Sequence, residues 1–356
     1  MTQKYRACRF ATLTVVAALF LTAVSAAAQE PEGVNQLEDW QQEELISLIE
    51  EARQTVIAPS AGPAPFELGG FASQIGTDGN GYVAYTVTID PSRISTPTVA
   101  MYMFLLDPAA IAAVSAGETE NSDEAPELPD DAFEYYDFID VASGGTEPIQ
   151  ISRALTAPGG EYEIFIAIRD SSGGEEVEDD AVPSAPLLLR ESVTVPDFWN
   201  GTLQTSTVLI PDSLEQLQIP LTPDQLQLSP YTIAGVLRIE PKFDRVFGKQ
   251  DELSLIFVVY NAGSENGSKP NLQIEYNFHQ QTADGEEFFN QTQPQEFNEE
   301  TLPPGFDLSM GHMLPVTQQV PLSLFPAGDY RLEIKLIDNA ASTELVQDVM
   351  FTVEEA

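Results

Sequence analysis

The chain has 356 residues, with 56 Asp and Glu against 15 Lys and Arg and a formal charge of −41. That excess argues against nucleic acid or anionic lipid as a partner, since both call for a basic face. A single cysteine excludes internal disulfides and cysteine-based metal centres, while 43 % hydrophobic residues and this length provide for two folded domains.

Residues 1–28 read as a secretory signal peptide. Lys4, Arg6 and Arg9 form the basic start, Phe10–Ser25 is almost wholly apolar, and Ala26-Ala27-Ala28 supplies a small-residue cleavage site. Cleavage after Ala28 removes three bases, no acid and the lone Cys8, so −41 becomes −44. An uncleaved signal anchor is the alternative. No second apolar run of 18 residues follows, so the mature chain is expected to lack a transmembrane segment. An exported chain without disulfides must rely on core packing, which fits a bacterial periplasmic or extracellular protein. Under that reading the sequons at Asn200, Asn266 and Asn290 are chance matches.

An amphipathic helix is expected over 35–57. Asn35 with Glu38 resembles a capping box, and Leu37, Trp40, Leu45, Leu48, Ile49, Ala52 and Val56 recur at helical spacing. Prolines 59, 63 and 65 end it. Its stripe is expected to pack on the first β unit; an exposed docking helix is the alternative.

From Phe66 the period changes to two. Tyr82–Ile89, Val99–Leu106, Glu161–Ile168 and Glu191–Val195 read as strands, and so do Tyr231–Ile239, Leu253–Tyr260, Leu272–Phe278, Tyr330–Ile337 and Val346–Val353. Gly/Pro turns separate them, which predicts β-sandwiches over 66–210 and 226–355.

A repeat links the two halves. Pro158–Asp170 aligns without a gap to Pro326–Asp338 as P-x-G-[DE]-Y-x-[IL]-x-I-x-[IL]-x-D. A Pro/Gly turn entering a strand that opens with Tyr162 or Tyr330 resembles the tyrosine corner of immunoglobulin-like sandwiches. The resemblance implies a mostly β protein with two immunoglobulin-like antiparallel β-sandwich domains. The antibody cysteines and the buried Trp on an early central strand are missing, which implies a cysteine-free bacterial type.

Both units exceed a plain sandwich, and the excess is expected in loops. Glu118–Asp131 has seven acids and Ser171–Pro186 has five, neither with a base; His279–Pro315 reads as a polar excursion. Pro196–Gln225 is too apolar for a free linker and is expected along the surface or as an added edge strand.

Candidate chemistry is sparse. His279 and His312 read as surface or loop residues, and no G-x-S-x-G, H-E-x-x-H or P-loop pattern occurs. No cofactor is implied. Asp78, Asn80, Asp123, Glu124, Asp179 and Asp180 are weak calcium candidates, because oxygen-rich loops suit that ion. Aromatics at Phe133, Tyr135, Tyr136, Phe138, Phe198, Trp199, Phe288 and Phe289 raise glycan binding, although alternate members of strands face the core. A hydrolase with a carboxylate pair remains a third possibility. With only five lysines, the acidic surface also suits a salty medium that screens self-repulsion. The expected function is that of a non-catalytic exported protein acting through protein–protein or surface contacts.

Overall fold

The computed structural model describes residues 37–57, 63–76, 79–117, 125–141, 145–174, 184–264 and 268–355. The expected signal peptide lies outside them. No helix among the described residues is long and apolar enough to cross a membrane. The chain divides into two compact units, each mostly β.

The first unit comprises the described residues to Asp197 together with Gln227–Pro230. It begins with α1 (Asp39–Gln54) and continues through β1 (Glu67–Ile75), β2 (Gly81–Ile89), β3 (Thr98–Leu106), α2 (Pro108–Gly117), β4 (Phe133–Asp140), β5 (Ile149–Ala157), β6 (Gly160–Asp170) and β7 (Leu187–Val195). Two antiparallel sheets form, ordered β1-β2-β5 and β4-β3-β6-β7. Strands one, two and five thus oppose three, six and seven, with the fourth added beside the third; this is the strand partition of an immunoglobulin-like sandwich with one extra edge strand. Val83, Tyr85 and Val87 from β2 meet Met101, Met103 and Leu105 from β3 and Ile164, Ile166 and Ile168 from β6. Alternation puts these side chains on one face because the side-chain period of a strand is two.

At one margin Arg153 of β5 reaches β4. Its Nη2 lies 2.6 Å from Asp137 and its Nε donates to the Tyr135 hydroxyl at 3.1 Å. The guanidinium is nearly buried, so the pair closes the gap between two edge strands with a charge-assisted bond.

The second unit comprises Phe198–Leu226 and the described residues from Tyr231 onward. Its strands are β8 (Gln204–Thr205), β9 (Pro211–Gln216), β10 (Thr232–Ile233), β11 (Leu237–Pro241), β12 (Val246–Gly248), β13 (Glu252–Tyr260), β14 (Leu272–Thr282), β15 (Gly285–Gln291), β16 (Gln295–Phe297), β17 (Leu314–Pro321), β18 (Gly328–Asp338) and β19 (Thr343–Glu354). The sheet β17-β13-β8 faces β12-β19-β18-β14-β15, where β16 also pairs with β14. All pairs are antiparallel except β12 with β19. Between the sheets lie Leu255 and Phe257, Ile274 and Tyr276, and Leu332 and Ile334.

Several expectations shift. Tyr231–Ile239 is no single strand: Ala234 and Gly235 take φ of 50° and 69°, folding β10 and β11 into a hairpin. Two adjacent positive φ values reverse the chain within the three residues between the paired Ile233 and Leu237. The expected polar excursion from His279 contains the end of β14 and all of β15 and β16. Pro196–Gln225 supplies β8 and β9, and Phe198–Leu226 groups with the second unit, which thus begins before the expected boundary at 210. Phe198 is buried edge-on against Tyr260, which ties this stretch there.

The repeat has two physical ends. The Tyr162 hydroxyl donates to the Pro158 carbonyl at 3.0 Å and Tyr330 to Pro326 at 2.8 Å, so each tyrosine bonds back across its corner. The closing aspartates each hold an earlier loop, Asp170 the one between β2 and β3 and Asp338 the one between β13 and β14. Asp170 Oδ1 accepts from the Ser95 and Thr96 amides at 2.9 and 3.3 Å. Asp338 Oδ2 accepts from the Gly263 amide at 2.5 Å, and its Oδ1 accepts from Ala340 and Ala341 at 3.0 and 2.9 Å. Tyr330 is fully buried and Tyr162 half-buried. Tyr330→Phe should therefore lower stability by about 1.5 kcal/mol and Tyr162→Phe by about 0.5 kcal/mol. Denaturant midpoints of the two variants test the grading, and equal losses would contradict it.

Burial also sets an alkaline limit. It pushes the phenols of Tyr135 and Tyr330 up to about 12 and raises Tyr102 and Tyr276 as well. The native state keeps these protons when the unfolded chain, with phenols near 10, releases them. Stability present below that value is thus lost as pH climbs from 10 toward 12. A denaturation midpoint that stays level across that window would refute this.

Candidate functional site

In the first unit the sheet built on β3, β6 and β7, and in the second the sheet built on β14, β18 and β19, each has an outer face. In the first unit that face is apolar: Ala100, Tyr102, Phe104, Leu106, Phe165 and Ala167. Helix α1 covers it with Leu45, Leu48, Ala52 and Val56. This is the expected docking of the stripe onto the first unit. The helix starts at Asp39 rather than 35, with the Glu38 amide donating to Gln41 Oε1 at 2.9 Å; Asn35 lies outside the described residues.

Arginines frame the helix. Arg53 Nη2 lies 2.8 Å from Glu134, and Arg169, almost fully buried, bonds Glu51 Oε1 and the Glu44 carbonyl at 2.9 Å each. Arg190 donates to the Val56 carbonyl at 3.2 Å, where the helix end carries partial negative charge. Helix α2 adds Val114 to the same cluster.

The second unit's counterpart is polar, and among the described residues no helix lies on it. Its outer face consists of rows set by strand register. His279, Arg331 and Met350 form one row, Asn277, Glu333 and Asp348 the next, and Glu275, Lys335 and Val346 a third. From β15, Phe288 stands opposite His279 and Glu286 opposite Gln281.

Arg331 organises these rows. Its Nε and Nη2 grip Glu286 at 2.8 and 2.6 Å, while Nη1 reaches Asp348 at 2.6 Å and Glu333 at 3.3 Å. The Arg331 guanidinium, helped by the Gln281 amide, holds the Glu286 carboxyl down at about 2. Lys335 pairs with Glu344 at 2.9 Å. Around this frame three apolar side chains are open to solvent: Phe288 at 59 %, Val346 at 48 % and Met350 at 46 %. Aromatic, methionine and arginine side chains are the types that anchor protein interfaces.

Internal pairing recurs among the described residues of both units. Among the described residues, ten of the twelve Lys and Arg side chains lie within salt-bridge distance of a carboxylate.

The remaining candidates are dispersed. Asn80 is the one calcium candidate within the described residues; Asp78, Asp123, Glu124, Asp179 and Asp180 lie outside them. Among the described residues no group of three His, Cys, Asp or Glu side chains converges to hold a metal ion. His279 is not a loop residue: it lies on β14, its Nδ1 3.7 Å from Glu286 and its ring edge-on to Phe288. His312 sits in a loop, where its Nδ1 accepts from the Asp307 amide at 3.0 Å.

The aromatics divide by strand face. Phe133 and Tyr135 pack against the inter-sheet core, Phe138 lies edge-on to Trp40, and Tyr136 is exposed. Phe198 is buried beside an exposed Trp199. Phe289 packs on Phe325 and Tyr330 beside an exposed Phe288.

No protein-family model matches the chain, and no curated protein matches it. Solved structures do. One is the crystal structure of trypsin-activated alpha-2-macroglobulin from Escherichia coli, at 12 % identity and a TM-score of 0.22 over 83 % of this chain. A second is Salmonella alpha-2-macroglobulin reacted with methylamine, at 14 % identity and a TM-score of 0.20 over 83 % of this chain. The chain spans 17 % of the length of each. A third is the crystal structure of the chicken CNTN1 FN1-FN3 domains, at 10 % identity and a TM-score of 0.21, covering 82 % of this chain and 66 % of that one. The immunoglobulin-like description of this chain rests on its own strand order and its two tyrosine corners.

Proposed function

We propose that this chain is a non-catalytic, exported protein that works through protein–protein contacts. The outer face of β14, β18 and β19, extended by β15, is its contact surface. The supporting observation is the difference between the two equivalent sheet faces. In the first unit α1 occupies that face; in the second, Phe288, Met350 and Val346 stand exposed around a fixed Arg331. Because Arg331 already has its carboxylates, a partner can cover the apolar side chains without stranding a bare charge, which is the costly part of burying ions. Export is supported by the basic, apolar and small-residue pattern of residues 1–28.

A photo-crosslinking residue placed at Phe288 or Met350 tests the surface in cells of the native host. Leu324, also exposed in this unit, serves as the control position. Discrete adducts from the first two sites and none from Leu324 are expected. Equal capture at all three, or none at Phe288 and Met350, would remove the proposal.

A further inference from the structure

We propose that Asn200 is a self-modifying site whose side-chain amide converts to aspartate and isoaspartate without an enzyme. Asn200 precedes Gly201, and both are exposed. Gly201 has a φ of 75°, and the space where a Cβ would stand is open. Its N–H makes no hydrogen bond among the described residues. The turn is braced: Asn261 Nδ2 donates to the Phe198 and Thr202 carbonyls, both at 2.9 Å.

Three donors converge on the side-chain oxygen Oδ1 of Asn200. The Thr202 amide lies at 2.8 Å, the Thr202 hydroxyl at 2.6 Å and Gln204 Nε2 at 2.9 Å. They draw electron density from Cγ and sit where negative charge develops when a nucleophile adds, which is the arrangement that stabilises an oxyanion.

The nucleophile is the Gly201 backbone nitrogen, after its proton passes to solvent base. It forms a bond to Asn200 Cγ, and the electron pair moves onto Oδ1. Collapse of that adduct breaks the Cγ–Nδ2 bond, and ammonia departs with a proton taken from water. Water then opens the resulting succinimide at either carbonyl. One amide and one water thus become one carboxylate and one ammonium ion, and each conversion adds a negative charge.

Asn80-Gly81 provides a control within the molecule. Gly81 is buried at the start of β2 and paired with both Ile75 and Ala157, so its nitrogen is held in the sheet.

The test uses the full chain, incubated at mildly alkaline pH and followed by peptide mass spectrometry with isoaspartate detection. Asn200 should convert about tenfold faster than Asn80, because the Gly201 backbone is exposed outside any strand whereas Gly81 is held in the sheet. Thr202→Val, which removes one donor, should slow conversion about fivefold. Thr202→Ser, which keeps the hydroxyl, should match the parent rate and excludes a merely misfolded turn as the cause. Equal rates at Asn200 and Asn80, or a Thr202→Val rate equal to or above the parent, would overturn the proposal.

Discussion

Asp338→Ala is expected to lower stability by about 3 kcal/mol. Asp338 is 1 % exposed, and its carboxylate accepts from three backbone amides, those of Gly263, Ala340 and Ala341. Alanine leaves three donors without acceptors, two of them on half-buried residues. Gly263 cannot readily shift away, since a Cβ there would already stand 2.9 Å from Ala341. Asp170→Ala removes the matching staple in the first unit, but Asp170 is only half-buried whereas Asp338 is buried. A smaller loss of about 1.5 kcal/mol is expected there. Urea titrations of both variants decide it: a loss at Asp170 as large as at Asp338 would mean that burial of the aspartate does not set the scale.

Leu48→Ala comes next, with an expected loss of about 3 kcal/mol. Leu48 is fully buried at the centre of the seam between α1 and the sheet, with Leu45 and Ala52 on either side. The cavity would open against Tyr102, Phe104 and Phe165, whose rings are held by stacking and strand register. Such a wall relaxes little, so the lost packing adds to the lost transfer energy. Ile46→Ala, on the exposed side of the same helix, should change stability by less than about 0.5 kcal/mol. Similar losses for both would show that α1 is not packed as described.

Some of this structure is legible in the sequence, and the limits have physical causes. Tyr82–Ile89 and Val99–Leu106 announce themselves because β-branched and aromatic residues fill both faces of buried strands. The stripe on α1 is equally plain. Helix α2 is hidden because half of Pro108–Gly117 is Ala and the segment has no charged residue to mark a polar face. Strands β15 and β16 are hidden because Glu, Gln and Asn occupy positions whose partners lie on another strand. The repeat marks both tyrosine corners, but the role of its last Asp depends on loops 75 residues away in each unit.

The candidate surface is less legible still. Arg331 meets Glu286 across 45 residues of chain, and only the pairing of β18 with β14, and of β14 with β15, brings them together. Exposure of Phe288 and burial of Phe289 are likewise decided by register, since neighbours in one strand take opposite faces.

The internal pairing of ten lysines and arginines has a consequence for the medium around the protein. With those cations engaged as struts, the surplus of acids has few protein charges left to balance it, and balance must come from dissolved cations. The folded molecule therefore carries an atmosphere of mobile counterions about a Debye length deep, roughly 10 Å at 0.1 M salt. Unfolding spreads the acids apart and lets part of that atmosphere go, so dilution of the medium favours the open chain and added salt favours the compact one. The ionic composition of its surroundings is in effect a component of the fold.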